Sequence, residues 1–429
     1  MEDFGSLLQS EFGLLSRRLR GMAMISRGIV PNLVISQRVV DRVVKAAQGF
    51  IEDETGETMV GLVVDTDEPE TMPTMYVIDT ISPDESVIRR SHMFEQGDDM
   101  QGDIFVWLLE NWTSYQEIGR DMEGREIKDE WREELKHLGD WHKQPGFMIQ
   151  PSGGDLATAL RFMEDEENGF EFLLVPIVTL GHPSVTSEEG AQVNYFTVPM
   201  DDGTSLRMDW WFIHRDVRVF QPITPTVVPT EDLPVLTPYP WHILRRDLLD
   251  EEIGLIQDDG KFLLAQSAIF WEADGDLPLE ICFIVGIPNS MNVFLVVTDW
   301  SYPDTKPRIR IADFTGVDAT QYVYKVFSDL WDKSEPAPEL SEFEWNPESS
   351  YIVDYLALIE KELGIRPEGP MPWERQGSTP VAIDVEDEED TPPVEANGAS
   401  EPHASDDDVI DEFEADPVTD TEPSEEETP

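Results

Sequence analysis

Past Arg375 the chain stops carrying positive charge: residues 376–429 hold 20 Asp or Glu and no Lys or Arg. Rich in Asp, Glu, Pro, Ser and Thr and poor in aromatics, this stretch cannot bury enough apolar surface to offset the entropy of ordering its backbone. It is expected to be a disordered acidic tail, assigned from residue 367 onward, so whatever folds lies before it. The body is acidic as well, because 69 of the 89 Asp and Glu residues, but all 30 Lys and Arg, precede residue 376. A formal net charge of -59 repels phosphate backbones and anionic membrane surfaces. Nucleic acid and membranes are therefore not expected as partners.

With 429 residues the chain has room for two domains and unstructured ends. Cys282 is the sole cysteine, which rules out an intramolecular disulfide and a cysteine-based zinc cluster. Its setting, Leu279-Glu280-Ile281-Cys282-Phe283-Ile284-Val285, reads as a buried strand with a structural thiol. The start, Met1 to Gly5, lacks the basic and apolar pattern of a secretory signal, and no run approaches the roughly 18–20 apolar residues of a membrane span. The expectation is a soluble, cytoplasmic protein.

Residues 1–32 read as a helical segment, with Leu7, Leu8, Phe12, Leu14 and Leu15 ahead of Arg17, Arg18 and Arg20. From Leu33 the periodicity is clearer. Ser36 is placed to cap a helix whose Val39, Val40, Val43, Val44, Ala47 and Phe50 recur at helical spacing. Strands are expected at Met59–Val64 and Met75–Ile78, an apolar helix at Ile104–Trp112, and a charged surface helix over 126–137. Asp155 is expected to cap a helix beginning at Leu156. Strands follow at 171–180, 193–198 and 206–222, with a hairpin around Asp201-Asp202-Gly203. The aromatic run Asp209–His214 reads as core packing rather than as a binding surface.

Prolines 225, 229, 234, 238 and 240 suggest a linker. Beyond it come a helix (241–256), strands near 262–271, 279–287, 293–298 and 307–312, and helices near 319–333 and 350–363. Helix, four strands, helix, helix is an α+β plan. The expected organisation is 1–32, 33–235, 236–366 and the tail 367–429.

Three segments carry chemistry. Glu54-Thr55-Gly56-Glu57-Thr58-Met59-Val60-Gly61 puts a glutamate at a helix-to-strand turn. His142-Lys143-Gln144-Pro145 follows, and then Pro151-Ser152-Gly153-Gly154-Asp155, with ten residues between Gln144 and Asp155. Residues 33–222 thereby resemble the JAMM/MPN metalloprotease family, whose signature is a glutamate before an apolar strand, then H-x-H-P, then S-x-x-D. Two positions depart from it: Glu57 stands where the family often has glycine, and Gln144 where it has the second histidine.

The resemblance implies an α/β fold of the cytidine-deaminase-like MPN type, a mixed sheet with flanking helices. It also implies a Zn²⁺ held through His142, position 144 and Asp155. A catalytic zinc uses three protein ligands and a water whose pKa it lowers to about 7. By resemblance Glu54 is the general acid–base on that water and Ser152 donates to the oxyanion. The implied substrates are isopeptide bonds to ubiquitin or ubiquitin-like proteins. An amide oxygen at Gln144 is a weaker zinc ligand than imidazole. Ser152 and Asp155 also have a plain alternative role as helix caps. His137 lies at an odd strand separation from His142, and His182 sits beside a turn, so neither is taken as a replacement ligand.

Residues 240–365 resemble the RWD and ubiquitin-conjugating-enzyme-like fold through Met291–Val297 and the turn Ser301-Tyr302-Pro303-Asp304-Thr305-Lys306-Pro307. No cysteine follows Cys282, so thioester chemistry is not expected there. Two functions stay open: a zinc-dependent isopeptidase or peptidase in a prokaryotic-type ubiquitin-like pathway, and an inactive scaffold of the same folds that binds protein partners.

Overall fold

The computed structural model describes residues 30–364 except 66–71, 97–98, 166–168, 184–192, 258–261, 272–276 and 341–342. The expected N-terminal helix and acidic tail lie outside the described residues. The chain opens with β1 (Asn32–Ser36), α1 (Gln37–Gly49), β2 (Thr55–Val64) and β3 (Thr74–Ile81), followed by a small hairpin of β4 (Ile88–Arg90) and β5 (Met93–Glu95). Next come α2 (Asp99–Ile118), β6 (Lys136–Lys143) and α3 (Gly153–Glu164). Seven shorter strands complete this part: β7 (Phe172–Leu174), β8 (Ile177–Pro183), β9 (Tyr195–Pro199), β10 (Thr204–Asp209), β11 (Trp211–His214), β12 (Gln221–Pro222) and β13 (Pro225–Val228).

Eleven of these strands make one mixed sheet, ordered β12-β11-β7-β6-β2-β3-β1-β13, with β8 bridging β6 and β10, and β9 beyond β10. Helices cover both faces, and the alternation along β2 shows how. Met59 packs with Val39, Val43 and Ala47 of α1, while Val60 and Leu62 pack with Trp107, Leu108 and Trp112 of α2. The molecule is thus mixed α/β, with the expected hairpin at 200–203 joining β9 to β10. Trp210, Phe212 and Ile213 are buried, so the aromatic run is core.

Four expectations are corrected. Ser36 occupies the helix N-cap position, but its hydroxyl makes no cap bond and is buried without a partner. Residues 126–137 are not a helix: a single 3-10 turn (Asp129–Trp131) leads directly into β6. Side chains of α2 take the carbonyls a helix would need, Trp112 Nε1 and Gln116 Nε2 both donating to Glu133 O, while Trp131 and Leu135 turn inward. The long strand 206–222 is broken, since β11 leaves β10 and pairs with β7 and β12 instead. Finally, 225–240 is not a linker. β13 pairs in parallel with β1, and Leu233 and Leu236 are buried in the cluster around Trp107.

Gly139 forces the shape of β6. Its φ is +128°, and a Cβ there would lie 2.0 Å from Leu174 O, where β6 meets β7 beside a bulge in the β2 pairing. Gly139→Ala is expected to cost about 3 kcal/mol or more, from backbone strain and overpacking together. Urea unfolding reads this directly, and an unchanged midpoint would mean the two strands separate at no cost.

The second part begins with α4 (Trp241–Leu244) and α5 (Arg246–Gln257), then β14 (Leu263–Trp271), β15 (Glu280–Gly286), β16 (Asn292–Thr298) and β17 (Arg308–Asp313). It ends with α6 (Val323–Lys333), the two-residue β18 (Glu335–Pro336) and α7 (Ile352–Leu363). The strands form an antiparallel meander in chain order. Phe283, Val285, Phe294 and Val296 face α5 and α7, while Cys282, Ile284, Leu295 and Val297 face α6. Cys282 is fully buried as expected, and burial pushes its thiol pKa well up.

Both sheets belong to one compact unit. They are tied through Trp107 Nε1 donating to Pro238 O (3.1 Å) and Leu279 N donating to Asn111 Oδ1 (2.8 Å). No helix among the described residues is long and apolar enough to cross a membrane.

Candidate metal centre

His142 lies near the end of β6, where its neighbours are β2, with Gly56 opposite it, and β8, with Ile177 opposite it. A Cβ on Gly56 would fall 2.2 Å from Trp141 O, so only glycine lets the two strands approach this closely. The backbone runs on extended, with Gln144 N donating to Val178 O at 2.9 Å. Two-residue alternation then puts His142 and Gln144 on one face and Lys143 on the other.

Asp155 reaches the same face from α3. Ser152 is the N-cap of that helix, and the two residues form a reciprocal capping box: Asp155 N donates to Ser152 Oγ (3.1 Å), and Ser152 N donates to Asp155 Oδ2 (2.5 Å). The helix accordingly starts at Gly153, two residues before the residue expected to cap it. Ser152 Oγ has its acceptor side committed to the helix.

The structure brings His142, Gln144 and Asp155 together. His142 Nε2 and Asp155 Oδ1 are 3.5 Å apart, close to the roughly 3.3 Å between two vertices of a tetrahedron with zinc–ligand bonds near 2.05 Å. Burial holds the His142 imidazole below its ordinary pKa, with Asp155 and Asp140 pulling the other way. With its proton on Nδ1, a neutral His142 presents the Nε2 lone pair toward the Asp155 carboxyl, and an N–H between them is then needed.

Gln144 fills that role. Its Nε2 is 3.1 Å from His142 Nε2 and 3.4 Å from Asp155 Oδ2, so one amide group donates to both acceptors. An amide nitrogen has no free lone pair to give a metal. Its oxygen, Oε1, is buried with no hydrogen-bond partner. Only two strong donors remain, and no group of three or more His, Cys, Asp or Glu side chains suited to a metal occurs among the described residues. The residues present do not fit a resident catalytic zinc.

Glu54 sits in the turn before β2, half-buried, its N–H donating to Arg90 O at 2.9 Å. Its carboxyl is raised above the ordinary glutamate range by partial burial and then by the charge of Asp155, with His92 and Lys143 opposing. Glu54 therefore lies within electrostatic reach of the centre. Glu57, where the family often has glycine, is buried, and its Oε1 accepts from Ser82 Oγ.

Lys143 is the participant that sequence reasoning missed. It is 1% exposed, and its Nζ donates to Ile51 O at 3.0 Å, pinning the acidic turn that carries Glu54. Burial lowers its pKa while Glu54, Asp53 and Glu52 raise it. The available signal was the alternation that turns a residue flanked by His142 and Gln144 toward the opposite side of the sheet. His137 and His182 stay outside the centre: His137 bonds Asp140 (3.2 Å), and His182 bonds Thr179 (2.7 Å) and packs on Phe147.

No family model matches the chain. The curated proteins yield no match either. Among solved structures, a protein from Desulfitobacterium hafniense is similar with a TM-score of 0.23 and 12% identity, over 46% of this chain and 93% of that one. A JAB1/MPN domain protein from Archaeoglobus fulgidus gives 0.20 and 14%, over 46% of this chain and 98% of that one.

Proposed function

We propose that this chain is a protein-binding scaffold of JAMM/MPN type whose hydrolytic centre is closed by Gln144, with ubiquitin-like proteins or their conjugates as the partner class. The observation that carries the reading is the Gln144 amide placed between His142 and Asp155. A donor that satisfies both acceptors removes their need for a cation. The resemblance of 240–365 to RWD and ubiquitin-conjugating-enzyme-like folds, with no cysteine after Cys282, fits recognition without thioester chemistry.

A second reading, the zinc-dependent isopeptidase, is favoured by Glu54, because a carboxyl raised by burial beside Asp155 suits a general base. Protein purified without chelators separates the two. The scaffold should hold far less than stoichiometric zinc, bind a modifier–lysine isopeptide conjugate and leave it intact. Near-stoichiometric zinc with cleavage that disappears in Glu54→Gln would overturn the scaffold and establish the enzyme.

A further inference from the structure

A cavity of about 620 Å³ opens between α5, the Tyr302 turn and the start of α7, well apart in sequence from His142. Its walls are aromatic. Trp241 and Tyr302 are buried with ring centroids 4.6 Å apart and form the floor, while Trp300 is 38% exposed at the edge. Tyr351 closes another side, held by its hydroxyl donating to Glu251 Oε1 at 2.8 Å. The floor is rigid, because the Tyr302 hydroxyl donates to the buried Glu252 and Trp345 Nε1 donates to Pro303 O at 2.7 Å.

The rim is acidic. Asp304 and Glu348 are exposed at the mouth beside Glu251. The one cation on the lining among the described residues, Arg245, has its guanidinium 3.6 Å from Asp247. Leu244, 48% exposed, adds an apolar strip.

We propose that this cavity takes a lysine or arginine side chain from an exposed segment of a partner protein. Aromatic faces attract a cation, more strongly when the pair is withdrawn from water. The aliphatic stem of Lys or Arg packs on apolar surface while its head reaches the carboxylates. The volume lies in the range that encloses a small ligand or a peptide side chain with its flanking backbone. The -59 charge of the whole chain concentrates cationic partners near such a mouth. The proposal is independent of whether the His142 centre hydrolyses anything.

The test uses the full chain and a short neutral peptide with a single arginine, acetyl-Gly-Gly-Arg-Gly-Gly-amide, against the same peptide bearing the uncharged isostere citrulline. Tryptophan fluorescence and calorimetry at low salt should show saturable binding of the arginine peptide, at least fivefold weaker for citrulline. Trp300→Ala, at an exposed position, should weaken binding at least fivefold with an unchanged melting temperature, and Asp304→Asn with Glu348→Gln severalfold. Equal binding of the two peptides, or binding indifferent to Trp300→Ala as attachment to the acidic tail would be, overturns the proposal. Absence of measurable binding at millimolar peptide overturns it too.

Discussion

Gln144→His is expected to raise zinc affinity by more than the roughly 10–100-fold that an outer hydrogen-bonding partner of a metal site is worth, because it supplies a third protein ligand to the metal itself. The 3.5 Å spacing of His142 Nε2 and Asp155 Oδ1 already matches two corners of a zinc tetrahedron. The Gln144 amide stands near the third corner. Imidazole there replaces a hydrogen-bond donor with a lone pair. Calorimetric titration of zinc into wild type, Gln144→His, and Gln144→His with Asp155→Asn measures this, and the second change should erase the gain. If Gln144→His binds zinc no better than wild type, His142 and Asp155 do not face one centre.

Glu252 is expected to make stability fall as pH rises from about 4.5 to 7. It is fully buried on α5, where its Oε2 accepts from Ile352 N (3.0 Å) at the start of α7, and burial raises its pKa to about 7. The unfolded chain releases this proton near the ordinary value of 4.5. Between those values the native state holds a proton that the unfolded state lacks. Its contribution is therefore complete below about 4.5 and lost through about 7, some 3 kcal/mol in all. Glu252→Gln keeps an acceptor for Ile352 and carries no titrating group, so urea unfolding at mildly acid and mildly alkaline pH should show a smaller loss in the variant. Identical pH slopes in the two proteins would remove Glu252 as the source.

Four strands of the second sheet, β14 to β17, were legible from their apolar or alternating runs, and β15 to β17 fall within a residue or so of the expected spans, whereas the two-residue β18 was not expected. β1 was hidden because its five residues run into α1 without a break, and its strand character comes from β3 and β13, which lie far away in sequence. The stretch 126–137 has helical charge spacing, yet Trp112 and Gln116 decide its backbone from another helix. The centre's members were legible only through the resemblance of three segments to the JAMM/MPN signature; in the structure, alternation along β6 sets His142 beside Gln144 and a capping box fixes Ser152 with Asp155. How the Gln144 amide is turned depends on β6 meeting α3, and no local pattern carries that. Lys143 is similar, because its partner Ile51 O sits on a turn brought in by β2.

The packed stretch after β13 sets where the protein can be divided. A cut between residues 235 and 236 would separate Leu233 from Leu236, which share one cluster with Trp107, and would strip Trp107 Nε1 of its acceptor at Pro238. Tyr239 follows immediately, its hydroxyl bonded to Thr80 O at the end of β3. A fragment of the larger sheet that stops at the last strand would leave indole and aliphatic surface open to water. One that runs past Tyr239 keeps these contacts, while Ile243, Leu277 and Leu279 from beyond it still pack on the same cluster, so the larger sheet is fully covered only with the second part attached.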